Sequence, residues 1–216
     1  MTSLPPTRYR LAIFDFDGTL ADSLPWFRAS FDDMVTRFDL TPVPPEEMEA
    51  LRGMTAREIM ARLNVSMWQL PAIVTDMRKR KLAAASEISL FKHVPSMLGE
   101  LQERGLKVAI VSSDSEASVR QVMGPVARLI TRFDCGAAMF GKHWKFRRVA
   151  RRLGIEPSEI ICIGDEIRDI EAAKAAGMDS GAVAWGYALP AALQAAGATH
   201  LFNSIEEMTE RLTAPK

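Results

Sequence analysis

The sequence predicts an α/β protein built on a parallel sheet and interrupted after its first strand by an all-helical insert. Three observations predict it. Short apolar runs without polar alternation recur along the chain, as strands buried on both faces require. Helical patterns lie between most of these runs, the order that yields a doubly wound sheet. Residues 22 to 90 contain no convincing strand, so the insert falls directly after the first run.

The first strand is "YRLAIF", residues 9 to 14. In the insert, Leu24, Phe27, Phe31, Met34 and Phe38 recur at helical spacing and mark a helix over 23 to 38. "PPEEMEALRG" is a Pro-led, acidic helix start, and "TARE", Thr55 to Glu58, is a capping box opening a short helix. A longer helix covers about 67 to 84, with Pro71 tolerated in its first turn and "KRKLAAAS" (79 to 86) as its solvated end. Beyond the insert, strands are expected at "LKVAIVSS" (106 to 113), "RFDCGAAM" (132 to 139), "EIICIG" (159 to 164), "SGAVAW" (180 to 185) and "ATHLF" (198 to 202). Helices are expected over 95 to 104, 115 to 130, 142 to 153, 166 to 176, 190 to 196 and 204 to 213. Gly105, Gly154 and Gly177 fall just past three of them, where helices commonly stop.

A chain of 216 residues can form one core with a modest insertion. Its 48% apolar and 25% charged residues are an ordinary soluble balance. Basic and acidic residues number 27 each, so no global field points to nucleic acid or an anionic membrane. "MTSLPPTRYR" lacks the apolar core of a signal peptide, and no apolar run approaches the roughly 20 residues that span a bilayer. Cys135 and Cys162 make no disulfide framework, and Cys162 inside "EIICIGD" reads as a buried free thiol. The expectation is a cytoplasmic protein without nucleic-acid or membrane partners; its oligomeric state is unknown.

Open α/β sheets bind ligands outside the carboxyl ends of their strands. Asp15 and Asp17 stand there after the first strand, two residues apart and therefore on one face, where two carboxylates repel unless a cation joins them. Ser112 and Ser113 follow "KVAIV", Lys142 and Lys145 lie in "FGKHWK", and Asp165 and Asp169 follow "IICIG", four apart on one face of the next helix's first turn. Acids, a hydroxyl and an amine gathered from four segments suit phosphoryl transfer. Carboxylates such as Asp15 and Asp165 suit Mg²⁺, while Ser112 and Lys142 can hold phosphate oxygens. Gly18 permits close backbone approach, so nearby main-chain N–H groups can cradle the phosphate.

In this order and spacing, "DFDGTLADS", the serine of "IVSS", the lysine of "FGKHWK" and "IGDEIRDIEAAKAAGM" resemble the haloacid-dehalogenase-like hydrolases, in particular the phosphoglycolate-phosphatase-like branch, over nearly the whole chain. The resemblance implies a Rossmann-like core, residues 1 to 20 plus 91 to 216, with a helical cap at 21 to 90. It implies Asp15 as the nucleophile that becomes phosphorylated. Asp17 would be the general acid and then base, its main-chain carbonyl binding metal. Ser112 would hydrogen-bond the phosphoryl group and Lys142 would bridge it to Asp15. Asp165 would ligate Mg²⁺, with Asp169 behind it or acting through water. Gly18, Thr19 and Ser113 would adjoin the substrate phosphate, although Ser113 stands where many relatives have asparagine. His143 replaces the proline that often follows the lysine, which leaves Lys145 as a rival; the 23 residues from Lys142 to Asp165 fit the family better. Dehalogenases lack an aspartate at the Asp17 position, which favours phosphate esters.

In the expected cap, Arg52 and Arg57 flank Gly53 where related caps dip towards substrate, and either could meet a carboxylate or second phosphate. The implied activity is Mg²⁺-dependent hydrolysis of a small phosphorylated metabolite, a phosphoglycolate-like monoester. A sugar-phosphate mutase or a non-catalytic phosphate-binding protein would keep the same core. A phosphonate-cleaving relative would need an activated cap lysine, and the neighbours of Lys79 and Lys81 give no sign of the desolvation that activation requires.

Overall fold

The computed structural model describes residues 7–136 and 141–215. Six parallel strands form one sheet in the order β3-β2-β1-β4-β5-β6: β1 (Leu11–Phe14), β2 (Lys107–Ile110), β3 (Arg132–Phe133), β4 (Ile160–Gly164), β5 (Asp179–Val183) and β6 (His200–Phe202). Alternate residues of the central strands feed opposite cores. Ala12 and Phe14 of β1, with Ile161 and Ile163 of β4, join one apolar cluster; Leu11, Ile13, Ile160 and Cys162 join the other. The unalternating apolar runs therefore reflect burial on both faces.

Helices α5 (Val94–Glu103), α6 (Glu116–Met123) and α10 (Ile205–Thr213) close the first face, through residues such as Leu98, Val119 and Met208. On the second face lie α7 (Lys142–Leu153) and α8 (Ile167–Ala176), through Phe146, Val149 and Ala173. α9 (Pro190–Ala195) joins β5 to β6, with Leu193 in a smaller cluster.

The insert is helical throughout: α1 (Leu24–Arg37), a 3₁₀ turn (Pro45–Glu47), α2 (Met48–Leu51), α3 (Ala56–Arg62) and α4 (Leu70–Ala83). Thr55 caps α3 with the reciprocal box that its sequence announces: its hydroxyl accepts from Glu58 N, and the Glu58 carboxylate accepts from Thr55 N at 2.7 Å. The insert has a core of its own, including Phe31, Met34, Leu51, Leu63 and Ile73.

Local differences from the sequence reading have physical causes. The helix expected over 115 to 130 is α6 followed by a 3₁₀ segment, Gly124–Leu129, because Gly124 takes a positive φ and Pro125 has no N–H to continue the ladder. The β3 strand is only two residues long. Positions 137 to 139 of its expected run lie outside the described residues, as does most of the amino-terminal stretch weighed as a signal peptide. Cys162 is a buried free thiol packed on Met178 Sδ at 3.5 Å.

Candidate active site

The chain runs out along β1, crosses to β2 and β3 on one side, and returns to β4 on the other. That reversal opens a crevice at the carboxyl ends of β1 and β4, where a doubly wound sheet holds its ligand. Asp15 follows β1 and its N–H donates to Ile163 O at 2.7 Å. Asp165 follows β4 and lies before α8, whereas Asp169 sits on the helix's first turn; the two acids come from strand end and helix rather than from one helical face. Carboxylate oxygens of Asp15, Asp165 and Asp169 all lie within 4.8 Å of one another, and all three residues are buried.

Lys142 Nζ, at the start of α7 and 7% exposed, stands 2.7 Å from Asp15 Oδ2 and 2.6 Å from Asp169 Oδ1. Lys145 is engaged elsewhere, 3.0 Å from Asp134 Oδ1 and donating to Cys135 O at 2.8 Å. Burial pushes the Asp15 carboxyl up to about 6, against the pull of Lys142 and with a further push from Asp169. Asp165 is raised well above the ordinary carboxylate range by burial and by Glu166, Asp15 and Asp169. Burial acts on Asp169 in the same direction, but Lys142 and Arg168 prevail and hold it low. Burial alone would strip the proton from Lys142; Asp15 and Asp169 keep it charged.

The turn after β1 shapes the Asp165 pocket. Thr19 Oγ1 donates to Asp165 Oδ1 at 2.9 Å, and Tyr187 N donates to Asp165 Oδ2 at 2.7 Å. A Cβ on Gly18 would overlap the Asp165 carboxylate and the Tyr187 ring, and one on Gly186 would overlap Asp165 from the other side. Gly18 thus serves the close approach of Asp165. Its own N–H donates to Ala21 O at 2.9 Å, and Thr19 N to Phe16 O at 3.3 Å.

Ser112 is buried, its Oγ accepting from Asp114 N at 3.0 Å, while Ser115 caps α6. Ser113 borders the cavity above the acids, and its carbonyl accepts from Arg78 Nε at 2.7 Å. Arg52 binds protein: Nε donates to Tyr187 O at 2.9 Å, and its two terminal nitrogens to Gly186 O at 3.1 Å and Glu49 Oε1 at 2.6 Å. It ties the insert to the loop that also holds Asp165. Arg57 stands exposed on α3.

One residue escaped the sequence reading. Lys81, expected at a solvated helix end, is 5% exposed; its Nζ pairs with Asp17 Oδ1 and lies 2.8 Å from Asp114 Oδ2. Burial works against its charge, but Asp17 and Asp114 hold the ammonium protonated. A Schiff base needs the free amine, so this environment does not suit the phosphonate chemistry weighed for it. The signal lay in the spacing: Ile73, Met77 and Lys81 follow one another every four residues on one stripe of α4.

A buried constellation of three acids and a lysine lies at the switch point of a parallel α/β sheet, beneath a helical insert. Residues 12–183 match the model of the haloacid dehalogenase-like hydrolases, and the chain belongs to that family. It is 29% identical over 203 residues to a phosphoglycolate phosphatase of Synechococcus elongatus, covering 93% of this chain and 96% of the relative. A phosphoglycolate phosphatase of Escherichia coli O157:H7 is 30% identical, with 94% and 92% covered. Among solved structures, a haloacid dehalogenase-like hydrolase of Streptococcus pneumoniae superposes with a TM-score of 0.75 at 19% identity, over 93% of this chain and 97% of that one. A hydrolase of Pseudomonas syringae gives 0.76 at 20%, over 94% and 97%. The chain is an enzyme of the phosphatase class.

Proposed function

We propose that this enzyme is a Mg²⁺-dependent phosphatase that hydrolyses a small phosphate monoester through an aspartyl-phosphate on Asp15. The observation that carries the reading is the convergence of Asp15, Asp165 and Asp169 around Lys142. Three buried carboxylates share Lys142 and the neighbouring Arg168; burial first, and the nearby carboxylates after it, push Asp15 and Asp165 up, and a bound cation would relieve both. An all-oxygen donor set of this kind fits a hard divalent cation. Asp15, Asp165 and the main-chain carbonyl of Asp17 would hold it, with Asp169 behind. Bound there, Mg²⁺ supplies charge neutralisation for the phosphoryl oxygens.

An Asp15 carboxylate oxygen attacks phosphorus, and the bond from phosphorus to the leaving oxygen breaks. Lys142 keeps Asp15 ionised for that attack and neutralises charge on the transferring group. Asp17, taking up a proton as it gives up Lys81, passes it to the leaving oxygen. Its carboxylate then takes a proton from water, which attacks phosphorus and frees Asp15. Ser112 and Ser113 border the phosphoryl position. Residues 21 to 90 act as a cap that excludes water while the intermediate lives, and residues 1 to 20 plus 91 to 216 form the catalytic core. The substrate is a small phosphorylated metabolite, with phosphoglycolate first in the panel because relatives carry that name. No helix among the described residues is long and apolar enough to cross a membrane; with the balanced charge, this supports a cytoplasmic enzyme.

The test is phosphate release from a panel of small esters with and without Mg²⁺, beside an Asp15→Asn control. Release that needs the metal and disappears in the variant is the expected result. A sugar phosphate isomerised without free phosphate would instead identify a mutase. Phosphate binding without turnover of any ester would identify a binding protein.

A further inference from the structure

One cavity of about 350 Å³ runs from Asp15 and Asp17 into the helical insert. Its far walls are hydrocarbon and thioether: Phe27 and Phe31 of α1, Met60 of α3, and Ile73 and Met77 of α4. Phe31 and Ile73 belong to the insert's own core cluster, so one flank of that core forms the wall of a half-open space. Apolar surface left facing water is unfavourable, and covering it with an apolar group favours occupancy. About 150 Å³ lined by such residues suffices for benzene. This cavity is more than twice that.

The cations along it are already taken. Lys81 lies on Asp17 and Asp114, Arg52 on Gly186 O, Tyr187 O and Glu49, Arg78 on Ser113 O, Arg28 on Glu49, and Arg168 on Glu166. A substrate whose leaving group carried its own carboxylate or second phosphate would compete with the partners that these cations already have. A leaving group with an apolar body would displace none.

We infer that the preferred substrate is a phosphate monoester whose leaving group carries a hydrocarbon or aromatic body of about six to twelve carbons, seated in the cavity of the insert. This rests on the phosphatase reading and names the substrate class for it. The phosphate sits at Asp15, the ester oxygen faces Asp17, and the apolar body fills the space between α1, α3 and α4. Five methionines line that space (Met34, Met48, Met54, Met60 and Met77), and their unbranched side chains adapt to bodies of differing shape.

Two measurements on the full-length enzyme test it. The first compares kcat/KM, with Mg²⁺ present, for ethyl, butyl, hexyl and 2-phenylethyl phosphate and for phosphoglycolate. The expected rise is about three- to fourfold per added methylene along the alkyl series, with phosphoglycolate below hexyl phosphate. Met60→Trp, which fills the cavity, is expected to collapse the hexyl-to-ethyl ratio. A flat series, or phosphoglycolate ahead of every alkyl and aryl ester, overturns the inference and leaves the phosphatase reading standing. The second is calorimetric binding of hexylphosphonate and methylphosphonate, which are not hydrolysed. Hexylphosphonate is expected to bind at least about tenfold tighter, with a more negative heat-capacity change. Equal affinity sinks the inference whatever the turnover. If no ester is hydrolysed but the hexyl advantage holds, the phosphatase reading fails and the cavity's preference survives it.

Discussion

Lys81 on α4 and Asp17 after β1 form an ion pair that joins the helical insert to the turn that follows Asp15. They lie 64 residues apart, and Asp114, beyond β2, completes the cluster from a third segment. The insert therefore meets the core through a buried charge held by both sides.

Removing that charge strands Asp114, which is itself buried. Lys81→Met is expected to destabilise the protein by about 3 to 5 kcal/mol, because a buried carboxylate is left without its cation. Adding Asp114→Asn to Lys81→Met should recover part of the loss. Urea unfolding of the two single variants and the double variant reads the coupling directly.

Lys142 and Lys145 make opposite predictions. Lys142→Met removes the ammonium between Asp15 and Asp169 and should lower kcat by about a thousandfold, the scale for one preorganised electrostatic group. Lys145→Met breaks a contact to Asp134, which keeps Arg148 as a partner; its activity should stay within about threefold of the parent. Steady-state phosphate release separates them.

Gly18 and Gly186 press on Asp165 from two sides. Gly18→Ala or Gly186→Ala forces that carboxylate aside, and at Gly18 the backbone φ of +69° adds strain of its own. Either variant is expected to raise the Mg²⁺ concentration for half-maximal activity at least about tenfold, since disturbed ligand positioning typically weakens metal affinity by that much or more. A Mg²⁺ titration of the rate measures it.

The metal-free protein should lose stability as pH rises from about 4 to about 6. Asp15 has a folded-state pKa raised to about 6 by burial, with Lys142 opposing and Asp169 adding to the shift. A raised carboxyl contributes most below its unfolded value of about 4, and that contribution is gone once pH passes its folded value. Asp165 acts in the same sense and Asp169 in the opposite one, so the comparison is with Asp15→Asn, whose stability should fall less across that window. Mg²⁺ added above pH 6 should raise the melting temperature of the parent.

The order of elements was legible because strand and helix periods are local properties of the chain. Apolar runs at 11–14 and 160–164 announced the two central strands, "TARE" announced the cap of α3, and helix α7 begins and ends where its pattern does. Asp15, Asp165 and Asp169 could be placed at one sheet edge because a doubly wound topology brings strand ends together. The charge of Lys81 could not be placed in the same way. Lys81 shares a stripe with Ile73 and Met77 but follows directly on Lys79 and Arg80, and only packing of α4 against the core turns it inward onto Asp17. Arg52 likewise shows its partners, the carbonyls of Gly186 and Tyr187, only once residues 134 and 135 positions further along the chain have folded back. Sequence by itself determined the sheet, the helical insert and the set of reactive acids, since these follow from periodicity and from residue type at strand ends. Tertiary structure alone decided which lysine meets Asp15, which cations are already engaged, and how much apolar space the insert leaves beside Asp15. Those depend on distances between segments far apart in the chain, and short-range pattern carries no record of them.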